Sequence, residues 1–138
     1  MIPAGDARYA WTEATTVEKK EDILLILLDT AVMALKKARR GIEDRNPKIK
    51  GENISRAVSI LAELDCALDH DTGKDLTANI SGLYHFIMDR LTIANIKDDL
   101  EALSEAEQVL DALHEMFKEA VQTYKNEGGL TQIICRNN

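Results

Sequence analysis

The sequence predicts an all-α protein, an antiparallel four-helix bundle preceded by a flexible N-terminal tail. Three observations carry that expectation. Apolar residues recur at three- and four-residue steps through four long segments. Only seven glycines and two prolines punctuate the 138 residues, too few to separate many short strands. Short polar stretches at 45–51 and 69–75 join the segments, which favours antiparallel neighbours. The expected organisation is a flexible tail over 1–15, the bundle over 16–125 and a disordered C-terminal tail over 126–138.

The first helix is expected over 16–44, with Thr15 and Glu18 in capping-box spacing. Its core side is Ile23, Leu24, Leu27, Leu28, Ala31, Leu35 and Ala38. The stretch EDILLILLDT places six apolar residues in a row, Ile23 to Leu28, more than one stripe requires. Ile26 and Met33, seven apart, stack on the opposite, polar side with Asp29, Lys36 and Lys37. Asn46-Pro47 and Gly51 mark the following loop.

The second helix, 52–69, carries Ile54, Val58, Leu61, Leu64 and Leu68, with Ile60 and Ala67 on one shoulder. DHDTGKD reads as a turn in which Gly73 is a left-handed stop. The third helix, 75–96, has a core line of Leu76, Ile80, Leu83, Ile87, Leu91 and Ala94. Tyr84 and Met88 lie on one shoulder, Phe86 and Ile93 on the other. Together they cover roughly 220° of the cylinder, where about 100–140° is enough to face a core. The fourth helix, 99–125, is an ordinary amphipathic one: Leu103, Ala106, Leu110, Leu113, Phe117, Ala120 and Tyr124 form an unbroken stripe.

The unequal widths leave two explanations open. The third helix is central and covered on both sides by its neighbours. Alternatively, its surplus surface receives a partner's helix or the chain's own tail. Periodicity does not choose between them.

Composition excludes other roles. A net charge of −7 argues against nucleic-acid backbones and anionic lipid as partners. The six-residue apolar run is far below the roughly 18–20 residues of a membrane span, so no membrane insertion is expected. Residues 1–12 lack a basic segment followed by an apolar one, which points away from a secretory signal and toward a reducing cytosol with free Cys66 and Cys135. No metal or other cofactor is expected. A di-iron bundle needs two inward Glu-x-x-His pairs, and this chain offers one Asp111-x-x-His114. A calcium loop at 69–80 would need glycine at Lys74 and glutamate at Ile80. No catalytic motif stands out, so no enzymatic activity is expected. His85 as a phosphotransfer histidine is the enzymatic rival, weakened by its neighbours Phe86, Ile87 and Met88.

The run LTANISGLYHFIMDRLTIANIKDDLEAL, 76–103, resembles the flagellar export chaperone family (FliS-type, flagellin-specific). Its matching positions are Ala78, Asn79, Leu83, Tyr84, Met88, Arg90, Leu91, Ala94, Asn95 and Leu103, with Asp98 or Asp99 at the acidic position. ISRAVSILAELDCALD and LLILLDTAVMAL are similar to the family's second and first helices. Leu28 stands where the family has Tyr, Thr30 where it has Gly, and Lys19-Lys20 where it has Ser-Pro.

The resemblance implies a cytoplasmic, non-catalytic bundle that binds the disordered C-terminal segment of flagellin. That segment becomes helical on the chaperone and is kept from polymerising before type III export. The expected flagellin groove is Ile26, Met33, Ile60, Asn79, Tyr84, Ile87, Met88, Leu91 and Asn95. Tyr9 and Trp11 in the N-terminal tail are expected to cover apolar surface while no partner is bound. Docking on the flagellar export gate and pairing into a homodimer are further partners left open. The rival from another class is a non-flagellar adaptor whose extra apolar width joins two copies.

Overall fold

The computed structural model describes the backbone of residues 17–127 and the side chains of 20–123. Four helices follow in order: α1 (Val17–Glu43), α2 (Pro47–Cys66), α3 (Lys74–Lys97) and α4 (Leu100–Glu127). α1 packs on α2 and α4, and α3 packs on the same two, so α1 and α3 are diagonal partners in an antiparallel four-helix bundle. Among the described residues, no helix is long and apolar enough to cross a membrane.

Each helix turns one stripe inward. Leu24, Leu28 and Leu35 of α1, Leu61 and Leu64 of α2, and Leu103, Leu110 and Phe117 of α4 are buried together. Burying each such side chain is worth about 1.5–3 kcal/mol, so these stripes hold the bundle. On α3 the inward line is Thr77, Ile80, Tyr84, Ile87, Leu91 and Ala94. The expected line is therefore corrected at two places. Leu83 and Leu76 are 39% and 37% exposed, whereas Tyr84 is 1% exposed. The observed line alternates steps of three and four without a break, which keeps a 3.6-residue helix facing one direction; the expected line contained two consecutive steps of four.

The helix ends differ from expectation where polar side chains act as caps. α2 begins five residues earlier than expected because Asn46 and Pro47 start it. The Asn46 carboxamide oxygen accepts from the Ile49 amide at 3.2 Å, and Pro47 occupies a first-turn position whose missing N–H has no helical acceptor. Gly51 lies inside the helix. Gly73 is not a left-handed stop: it has φ −132 and precedes α3. The turn is instead made by Asp69, whose carboxylate accepts from the amides of Asp71 and Thr72 and from the Thr72 hydroxyl. Asp99 caps α4 by accepting from the amides of Glu101 and Ala102 at 3.0 and 3.1 Å. The capping pair Thr15 and Glu18 lies outside the described side chains.

Candidate functional site

A bundle whose four stripes are already satisfied has no structural use for large apolar side chains on its outside. Among the described residues, seven are exposed there: Ile26, Met33, Leu76, Leu83, Phe86, Ile96 and Met116. Single exposed apolar residues are ordinary; groups of them on one face mark interaction surfaces.

The first group is on α1. Ile26 is 63% and Met33 47% exposed. The seven-residue interval puts them two turns apart on one face, opposite Leu24, Leu28 and Leu35. Thr30, between them, donates its hydroxyl to the Ile26 carbonyl at 2.8 Å, which satisfies its polar group locally.

The second group lies on the flank where α3 meets α4. Arg90 of α3 reaches Glu105 of α4 at 3.4 Å, which fixes the facing sides of the two helices. Leu83 and Phe86 precede Arg90 by seven and four residues and share its face; Met116 follows Glu105 by eleven, three turns on, and shares the other. The sequence places Phe86 on a shoulder of the helix but Leu83 on its core line, so the two are not joined there into one face. The unbroken three-and-four alternation through Tyr84 is the signal that finds it.

The expected groove residues separate accordingly. Of these, Tyr84, Ile87 and Leu91 are buried in the core, where Ile87 and Leu91 were also expected on the core line of the helix. Met88 is half-buried and shares a face of α3 with Ser81 and His85, both of which bond Asp65 of α2, at 2.6 and 3.2 Å. It therefore sits on the α2 side of α3, away from Leu83 and Phe86. Ile60 is half-buried against the core, and Asn79 is exposed. Asn95 is half-buried, and its carbonyl accepts from Lys50 Nζ at 2.9 Å while the same ammonium pairs with Asp98 at 2.6 Å. Tyr9 and Trp11 lie outside the described residues. Because α1 and α3 are diagonal, their outward faces point in opposite directions. Ile26, Met33 and Asn79 do not form one groove, and a partner that touches all three must wrap around the bundle.

Electrostatic ties close the bundle between these faces. Arg39 of α1 donates to Ser104 at 2.8 Å and to the carboxylate of Glu107, both on α4. That hydrogen bond with Glu107 raises the Arg39 guanidinium above its ordinary value, against a smaller opposing effect of burial. At the loop end, Gly41, Ile42, Arg45, Asn46, Pro47, Lys50 and Asp98 line an open cavity of about 410 Å³. Among the described residues no cluster of three or more His, Cys, Asp or Glu is placed to hold a metal ion.

Comparison with known proteins shows the family to which this bundle belongs. The family model described as Flagellar protein FliS matches residues 4–124. The chain is 34% identical over 114 residues to the flagellar secretion chaperone FliS of Salmonella typhimurium, covering 82% of this chain and 84% of that one. It is 29% identical to the flagellar secretion chaperone FliS of Escherichia coli, over 83% and 85% of the two chains. For the Bacillus subtilis protein of the same name the identity is 27%, over 77% and 78%. With most of its length matched, the chain belongs to the FliS family of flagellar secretion chaperones.

Proposed function

We propose that this protein binds the C-terminal segment of flagellin in the cytoplasm, keeps it from polymerising, and does so without catalysing any reaction. The observation that carries this reading is the pair of outward apolar faces, Ile26 with Met33 and Leu83 with Phe86 and Met116, on a bundle whose core is already filled. A segment that polymerises through an amphipathic face must have that face covered beforehand, and helix-on-groove packing covers it. Because the two faces point apart, the client wraps the bundle as a broken chain of short helices, ordering as it binds. The segment before Val17, with Tyr9 and Trp11, covers Ile26 and Met33 until the client arrives.

The experiment is a titration of a flagellin C-terminal peptide into the protein, followed by calorimetry and circular dichroism. Saturable binding accompanied by new helical signal supports the reading. Absence of binding at micromolar concentrations contradicts it.

A further inference from the structure

Charge is unevenly distributed along this chain. Residues 36–56 hold eight lysines and arginines against three acidic residues, a local charge of +5 in a protein of net charge −7, so everything else carries −12. Two of the eight cations are engaged: Arg39 with Glu107 and Lys50 with Asp98. The other six, Lys36, Lys37, Arg40, Arg45, Lys48 and Arg56, are all exposed and have no ion pair among the described residues. A solvated helix face ordinarily interleaves its cations with carboxylates one turn away. Here Lys36, Lys37 and Arg40 bring like charges together at three- and four-residue spacing, and the first carboxylates beyond them are Glu43 and Asp44 at the end of the helix.

Their placement relates them to the apolar face. Lys37 and Arg40 follow Met33 by four and seven residues, so they continue the stripe that Ile26 and Met33 begin on the outside of α1. α2 is held tightly against this part of α1, since a Cβ on Gly41 would stand 2.5 Å from the Lys50 amide nitrogen. Arg56 and Lys48, both exposed on α2, extend the same basic segment of the sequence.

We infer that the wall of α1 and α2 recognises a client segment whose apolar residues are followed by carboxylates. Its apolar side chains lie on Ile26 and Met33, and its aspartates or glutamates lie on Lys37, Arg40 and Arg56. The inference rests on the flagellin reading and specifies the chemistry of the segment that reading needs. A short acidic stretch fits the patch, whereas an extended polyanion would also meet the strongly acidic remainder of the molecule and be repelled.

The test measures flagellin C-terminal peptide affinity across a salt series for three proteins: wild type, Lys37→Gln/Arg40→Gln/Arg56→Gln, and Ile26→Ser/Met33→Ser. All three are checked for native helicity, which substitutions at exposed positions preserve. The wild-type dissociation constant rises with salt between roughly 50 and 300 mM, and the neutralised variant binds about tenfold more weakly at low salt with a flatter dependence. If the neutralised variant matches wild type at every salt while Ile26→Ser/Met33→Ser binds weakly, the charge inference is overturned and the apolar reading stands. If neither variant weakens binding, the α1 wall is not the client surface and both are overturned. Vesicles of phosphatidylserine and duplex DNA are the controls; binding to either that exceeds binding to the peptide overturns the choice of an acidic polypeptide.

Discussion

A Cβ placed on Gly41 of α1 meets the backbone nitrogen of Lys50 on α2 at 2.5 Å, closer than real side chains approach. The absence of a side chain therefore sets how deeply the first two helices cross. Gly41→Ala is expected to destabilise the protein by about 1–3 kcal/mol, because backbone must move to admit the methyl group. At Gly82, in the interior of α3, a methyl group would meet nothing within 4 Å. Gly82→Ala is expected to stabilise by roughly 0.5–1 kcal/mol through helix propensity alone. Urea denaturation of both variants checks the contrast; equal effects in the two would contradict the tight crossing.

Leu83 and Tyr84 are neighbours in sequence with opposite environments, one 39% exposed and the other 1%. Leu83→Glu is expected to lose about 1 kcal/mol or less, as at other surface sites. Tyr84→Glu leaves a charge in the core, as Leu110→Glu does on α4, and each is expected to lose several kcal/mol or to unfold the chain. Thermal melts decide it. A destabilised Leu83→Glu with a native Tyr84→Glu would reverse the assigned facing of α3.

The helices and most of their inward residues were legible in the sequence because α4 carries a single unbroken stripe and α1 repeats Leu24, Leu28, Ala31, Leu35 and Ala38 at three- and four-residue steps. α3 was harder. Its apolar residues occupy two faces, and adjacent Leu83 and Tyr84 compete for the same inward place, so composition favoured the leucine while the three-and-four alternation favoured the tyrosine. The partner surface suffered from the same exchange: Tyr84, placed on a shoulder and in the groove, fills the core, and Leu83, assigned to the core, is outside. Ile26 and Met33 were readable because they sit apolar among Asp29, Lys36 and Lys37, where only exposure was geometrically available. Which helices are diagonal depends on packing between segments, and no single-helix pattern contains that information.

The tie between Arg39 and the Ser104–Glu107 pair of α4 is expected to contribute about 1 kcal/mol, the usual worth of a partly exposed charge-assisted bond. Because the guanidinium is raised above its unfolded value, its contribution is fully present below that unfolded value and lost only as pH climbs past the folded one. The stability difference between wild type and Arg39→Met is therefore expected to show no slope from Arg39 between about pH 6 and pH 9. Urea denaturation across that range measures it, and a difference that vanished toward pH 9 would contradict the assignment.

Trp11 is the chain's only tryptophan, so it reports on the N-terminal segment without labelling. If that segment covers Ile26 and Met33, Trp11 emission is blue-shifted in the free protein and moves to the red when the flagellin peptide displaces it. Emission of a fully solvated indole in both states would remove the segment from the account.

The most direct measurement compares flagellin C-terminal peptide affinity for wild type, Ile26→Glu/Met33→Glu and Leu83→Glu/Phe86→Glu, after circular dichroism has established that each is folded. A client that wraps the bundle loses anchors in either variant, and each is expected to bind at least about tenfold more weakly, near 1–3 kcal/mol per face. Wild-type affinity in both folded variants would contradict the claim that the outward apolar faces of α1 and α3 receive the client.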